Sequence, residues 1–181
     1  MKDIMFDIET LGTSYNSIVI QVAMVYFDRR TKEKGESLVV NIDPIDANKY
    51  GLIYDEKTVD WWDAKPEEVK QSVFSNQIPL KEALTKINKF LKFGSIIWCH
   101  ATFDMPILSN AFNKAGIKPN WHYMNFRDIR TIVDLSGINL NNYKWDEGKT
   151  HNALDDCNFQ IDYSVDCINK LLGDKDELPN N

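Results

Sequence analysis

A chain of 181 residues, 43% hydrophobic and 27% charged, has the size and composition of one globular domain that buries a sizeable core. No run approaches a membrane span and the N-terminus enters a strand pattern directly, so a cytoplasmic protein without membrane contact is expected. The net charge of −6 argues against a protein that coats long duplexes. Residues 114–151 hold six basic residues against four acids, which softens that balance, and the absence of a clear basic surface favours an enzyme gripping a short end over a coating protein.

The first element is an apolar run, Ile4-Met5-Phe6, that ends in Asp7-Ile8-Glu9-Thr10. In a strand, Asp7 and Glu9 project to the same face. Two adjacent buried carboxylates cost several kcal/mol unless something neutralises them, and a hard divalent cation does so with oxygen ligands. Residues 13–17 form a polar turn. Residues 18–28 read as a long strand, 29–35 as a charged hairpin turn and 37–42 as a third strand, giving an antiparallel meander. Residues 43–57 are irregular. Thr58 is placed as the cap of a helix that carries the adjacent Trp61 and Trp62, one packing on the sheet and one open to stacking on a base.

A second helix opens near Pro66, with acids in its first turn. Leu80, Leu84, Ile87, Phe90 and Leu91 recur at helical spacing up to Gly94. Ile96-Ile97-Trp98-Cys99 is a short buried strand running into His100-Ala101-Thr102-Phe103-Asp104, and Asp104 opens a helix ending near Gly116. Residues 119–126 connect, with room for a short strand, and 127–135 read as a helix. Residues 137–150 form a polar loop and 151–172 a last long helix. One domain over residues 1–173 is expected, followed by a frayed tail at 174–181. Cys99, Cys157 and Cys167 match no zinc spacing and read as small apolar residues. The order of elements describes an α/β sandwich around a mixed sheet.

Three places carry chemistry: Asp7 with Glu9, Asp104, and His151-Asn152-Ala153-Leu154-Asp155-Asp156. Four carboxylates converging on two cations would suit an in-line phosphoryl displacement. His151 suits a general base, since imidazole titrates near neutrality. On an ideal helix Asp155, four residues from His151, shares its face; Asp156 lies on a neighbouring one, and spacing alone leaves the choice open. Each feature also has a plain structural use. Asp104 fits a helix cap, His151 a residue of the cap region, and His100 a residue that helps shape the site. Arg127 and Arg130 fit pairing with Asp128 and Asp134 or contact with phosphate.

The three segments together, in this order, resemble the DEDDh branch of the DnaQ-like 3′–5′ exonucleases. Asp7-Ile8-Glu9-Thr10 matches Asp-x-Glu-Thr, Phe103-Asp104 the second motif, and His151-Asn152-Ala153-Leu154-Asp155-Asp156 matches His-x-Ala-x-x-Asp. Residues 58–62 and 127–131 resemble phage exodeoxyribonucleases of the DexA type and the related mycobacterial ribonuclease AS group. The resemblance implies a ribonuclease H-like fold: an antiparallel three-strand meander plus parallel strands, flanked by helices. It implies Asp7, Glu9, Asp104 and Asp156 as ligands of two Mg2+ or Mn2+ ions, with Asp7 bridging and Asp156 taken over Asp155. It implies His151 as the base, with Thr10, Leu11, Trp62, Phe103 and Arg130 toward the substrate, Leu11 as an apolar wedge by the terminal base. The implied reaction releases nucleoside 5′-monophosphates from the 3′ end of single-stranded DNA, or of RNA. A non-catalytic binding or proofreading-type subunit is the alternative; all five motif residues are present, which favours the enzyme. A homodimer is compatible with the ribonuclease likeness.

Overall fold

The structure, a computed structural model, describes residues 2–143 and 151–173. Part of the loop expected at 137–150, and the whole tail expected at 174–181, lie outside the described residues. The sheet is ordered β3-β2-β1-β4-β5, from β1 (Asp3–Thr10), β2 (Val19–Phe27), β3 (Lys34–Asn41), β4 (Ile96–Cys99) and β5 (Phe126–Asp128). The first three strands pair antiparallel, while β4 runs parallel to β1 and β5 parallel to β4. This is the mixed ribonuclease H-like sheet expected from the sequence.

Both faces of the central strands are buried, and alternation sorts their side chains between two cores. Ile4, Phe6 and Ile8 enter the larger core with Ile20, Val22 and Met24. That core is closed by α1 (Pro44–Asn48), α2 (Glu56–Asp63), α3 (Glu67–Phe74), α4 (Leu80–Phe90) and α5 (Asp104–Lys114). Met5 enters the second core with Ala23, Val25 and Phe27. That one lies under α6 (Ile129–Ser136) and α7 (Ala153–Leu172), which pack on each other while α7 crosses β1 and β2. Asp7 and Glu9 share the odd parity of Met5 and therefore face α7. The antiparallel register shifts between Glu9 and Thr10, a bulge-like irregularity just past the second acid, after which Thr10 pairs with Val19.

Local chemistry explains where the elements begin and corrects several expected boundaries. The stretch expected to be irregular holds α1, because Asp43 caps it and Pro44 suits its first position. The cap of α2 is Asp55, which accepts from the Lys57 amide, and Thr58 lies inside the helix. Arg127 belongs to β5, since Asp128 is the N-cap that opens α6 by accepting from the Thr131 amide at 3.0 Å. Gly137 ends α6 at φ 62, the left-handed turn that suits glycine. The last helix starts two residues after His151: Asn152 caps it, and His151 stands outside at φ 68. A non-glycine residue in that region is uncommon and held by its surroundings.

Candidate active site

The site lies where β1 and β4 end and α7 begins. Asp7 sits at the centre of it. Its ligand atoms group with those of Glu9 and Asp156 within 4.8 Å of one another, and separately with those of His100 and Asp104 at the same limit. Three structural devices hold these side chains. Gln160, one turn after Asp156 on the buried face of α7, donates its Nε2 to Asp7 Oδ1 at 2.7 Å. The backbone N–H of His100 donates to Asp104 Oδ2 at 2.7 Å across the turn between β4 and α5. Gln21 on β2 accepts from the Ala153 amide at 2.8 Å, fixing the start of α7 against the sheet.

The electrostatics are those of buried carboxylates packed together, with only Arg130 and Lys65, among the described residues, acting as opposing charges from a distance. Burial, then the charges of Asp104, Glu9 and Asp156, push the Asp7 carboxyl well above its ordinary range, against the lowering effect of Gln160. Burial and Asp156 raise Glu9 to about 8. Burial raises Asp104 to about 8, opposed by the His100 amide and the positive charge of Arg130. Asp156 rises to about 7, through burial and then Asp155. Asp156 is 9% exposed, and its Oδ1 has no hydrogen-bond partner among the described residues. An orphaned carboxylate oxygen aimed into a group of raised acids is a fit for hard divalent cations, whose charge would reverse every one of these shifts.

The choice between Asp155 and Asp156 turns on the helix start. The i to i+4 argument for Asp155 required His151 to be helical, and it is not. Ala153, Asp156, Cys157 and Gln160 form the face of α7 turned to the sheet, so Asp156 reaches Asp7 and Glu9 while Asp155 is only partly buried. His151 stands just before the helix, beside Trp61. Its ring lies 4.6 Å from that of Trp61, edge to face, and burial followed by Lys65 lowers its pKa below the ordinary imidazole value.

Of the five residues placed toward the substrate, the structure brings Thr10, Trp62 and Phe103 to one cleft of about 340 Å³, which Glu9, Thr58 and Trp61 also line. Within it the two tryptophans are placed differently. Trp62 is 2% exposed and its indole N–H donates to the Thr10 carbonyl at 3.0 Å, so it braces the end of β1. Trp61 is 41% exposed and lines the cleft, with Lys65 Nζ 3.6 Å from its ring centroid and the His151 ring packed against it. Leu11 is not placed as a wedge. Its side chain is buried in the larger core, its amide donates to Ile18 and its carbonyl accepts from Asp55. Arg130 is exposed on α6, close enough for its charge to act on His100 and Asp104, and has no ion pair among the described residues.

Sequence reasoning missed Gln160, Gln21 and Asp128. Gln160 carries a legible signal, since it follows Asp156 by four residues on a helix. Asp128 accepts from the Ala101 amide at 2.9 Å and so pins the turn before Asp104, a role visible only once β4 and β5 are paired. Gln21 is an ordinary strand residue in the sequence.

Residues 2–168 match the family described as the 3′–5′ exoribonuclease Rv2179c-like domain. The exodeoxyribonuclease of Enterobacteria phage T4 is 24% identical over 197 residues, covering 87% of this chain and 85% of its own. Among solved structures, Exonuclease I of E. coli in complex with a dA16 oligonucleotide superposes with a TM-score of 0.68 at 17% identity, over 90% of this chain. A moderately thermophilic Exonuclease I from Methylocaldum szegediense gives 0.68 at 17% identity over 93%. This chain spans 40% of the length of each of those two enzymes. With a match over nearly its whole length, the chain belongs to the Rv2179c-like 3′–5′ exoribonuclease family and is a 3′–5′ exonuclease of the DnaQ-like superfamily.

Proposed function

We propose that residues 1–173 form one catalytic domain that hydrolyses single-stranded nucleic acid from its 3′ end to nucleoside 5′-monophosphates, with divalent cations held by Asp7, Glu9, Asp104 and Asp156. The observation that carries this reading is Asp7, shared between two groups of ligand atoms at the end of β1. Two bound Mg2+ or Mn2+ ions would supply positive charge to the scissile phosphate and its leaving oxygen.

The chain's own side chains supply the rest. His151, outside α7, accepts the proton of the attacking water; its lowered pKa keeps it unprotonated, and so able to do so, at neutral pH. Trp62 braces the Thr10 carbonyl at the cleft where the terminal nucleoside would lie, and Phe103 and the partly exposed Trp61 wall it. Base stacking on such faces is worth about 1–3 kcal/mol per base and tolerates any sequence. Arg130 adds a cation near Asp104 for a phosphate of the strand.

DNA is the substrate we favour, on the likeness to the phage exodeoxyribonuclease over most of both chains. RNA is the second reading, favoured by the exoribonuclease description of the matching family. Matched 5′-labelled single strands of DNA and RNA, incubated with Mg2+, separate the two. A ladder shortening from the 3′ end, lost in EDTA and in Asp7→Ala, is the expected result. Folded protein that degrades neither strand would overturn the proposal.

A further inference from the structure

Resting on the two-cation reading above, we propose that His100 is a nitrogen ligand of the cation held between Asp7 and Asp104, so that the two cation positions differ in chemistry. The two groups of ligand atoms share Asp7 but are unlike otherwise. One adds Glu9 and Asp156 and is all oxygen; the other adds Asp104 and the His100 imidazole. The backbone that carries the imidazole is fixed at His100 and at the residue after it. The His100 amide donates to Asp104 Oδ2 at 2.7 Å, and the next amide, of Ala101, donates to Asp128 Oδ2 at 2.9 Å. Asp104 itself is 1% exposed, so its carboxylate has little freedom to turn away. On the oxygen-only side, the buried Asp156 Oδ1 lacks a partner, an independent sign that a ligand completes the group.

An imidazole donor changes which ion a position prefers. Mg2+ favours carboxylate, carbonyl and water oxygens, whereas neutral imidazole suits first-row transition ions. The position at Asp7, His100 and Asp104 would therefore take Mn2+ ahead of Mg2+. The position at Asp7, Glu9 and Asp156 would discriminate less. The full chain would bind a first Mn2+ more tightly than a second, and more tightly than it binds Mg2+.

Pulsed electron paramagnetic resonance of the full chain with one equivalent of Mn2+ tests this without any turnover. Nitrogen-14 modulation from a directly bound imidazole is expected in the wild type and in His151→Ala, and its loss is expected in His100→Gln. Calorimetric titration should show His100→Gln weakening the first Mn2+ about tenfold or more, while Mg2+ binding changes several-fold less. Circular dichroism of His100→Gln verifies that the variant is folded. Bound Mn2+ without nitrogen coupling, or equal weakening of Mn2+ and Mg2+, overturns the inference and leaves the two-cation reading standing. A wild-type chain that binds no Mn2+ overturns both.

Discussion

Replacing Glu9 by Gln should make the metal-free protein more stable while abolishing its activity. The reasoning begins with Glu9 facing Asp7 and Asp156 with no ion pair of its own among the described residues, its carboxyl raised to about 8. In the unfolded chain it would titrate near ~4.3. A folded pKa above the unfolded one means the native state binds the extra proton. Stability therefore falls as pH rises from about 4.3 to about 8, and is highest below that window. At pH 7 the penalty is on the order of 3 kcal/mol, at ~1.4 kcal/mol per pK unit. The amide keeps the shape but carries no charge, so about 1–3 kcal/mol should be recovered after allowing for its own solvation. For a chain of this length that corresponds to a rise in Tm of roughly 3–10 °C. The assay is thermal unfolding by circular dichroism in EDTA, from about pH 5 to about pH 8.5, on wild type and variant. The wild type should lose stability faster with rising pH, Asp104 and Asp156 acting in the same sense. Added Mg2+ should raise the wild-type Tm more than the variant's, because it binds only the folded site. A Glu9→Gln protein less stable than wild type in EDTA at pH 7, with the same pH slope, would refute the argument.

Other substitutions separate the parts of the site. His151→Ala should lose about 10²–10⁴ in turnover while Mn2+ titrations stay within a few-fold of wild type; weakened metal binding would move His151 from base to ligand. The acidic limb of the wild-type turnover profile should fall below pH ~6.5, since burial and Lys65 lower the imidazole pKa; a limb above that value would contradict the environment described. Trp62→Phe keeps the core filled but removes the hydrogen bond to the Thr10 carbonyl, so about 1 kcal/mol of stability and roughly tenfold in kcat/KM should be lost; unchanged kinetics would deny it the bracing role. Asp3 accepts from both Arg29 and the Trp98 indole, far from the carboxylates, so Asp3→Ala should cost about 1–3 kcal/mol in denaturant unfolding with specific activity intact.

What could be read from the sequence was local. The acid pair on β1 follows from an apolar strand and a two-residue repeat, and the motif order around Phe103-Asp104 and His151 to Asp156 carried the family. The meander and β4 followed from runs of strand-forming residues, whereas the parallel pairing came with the family resemblance and β5, three residues long, reads largely as the start of a helix. Choices between neighbours were harder, because adjacent residues on a helix point about 100° apart. Which of Trp61 and Trp62 meets the sheet depends on where α2 begins, and that is set by Asp55 and not Thr58. Asp155 against Asp156 depends on Asn152 capping α7 and on His151 standing in a left-handed conformation before it. Leu11 became a core residue because the β1 exit pairs with Ile18 and Asp55, partners seven and 44 residues away. The supports from Gln21 and Asp128 are likewise long-range, and no local pattern announces them; of the three, Gln160 alone has a local signal, its place one turn after Asp156.

The central claim is that Asp7 joins two cation positions at the end of β1. Diffraction from crystals soaked in Mn2+, recorded for its anomalous signal, tests that claim most directly. Two peaks are expected about 3.5–4 Å apart, one beside Asp7, Glu9 and Asp156 and the other beside Asp7 and Asp104. A map with no peak against Asp7, or with Mn2+ bound only away from these carboxylates, would contradict it.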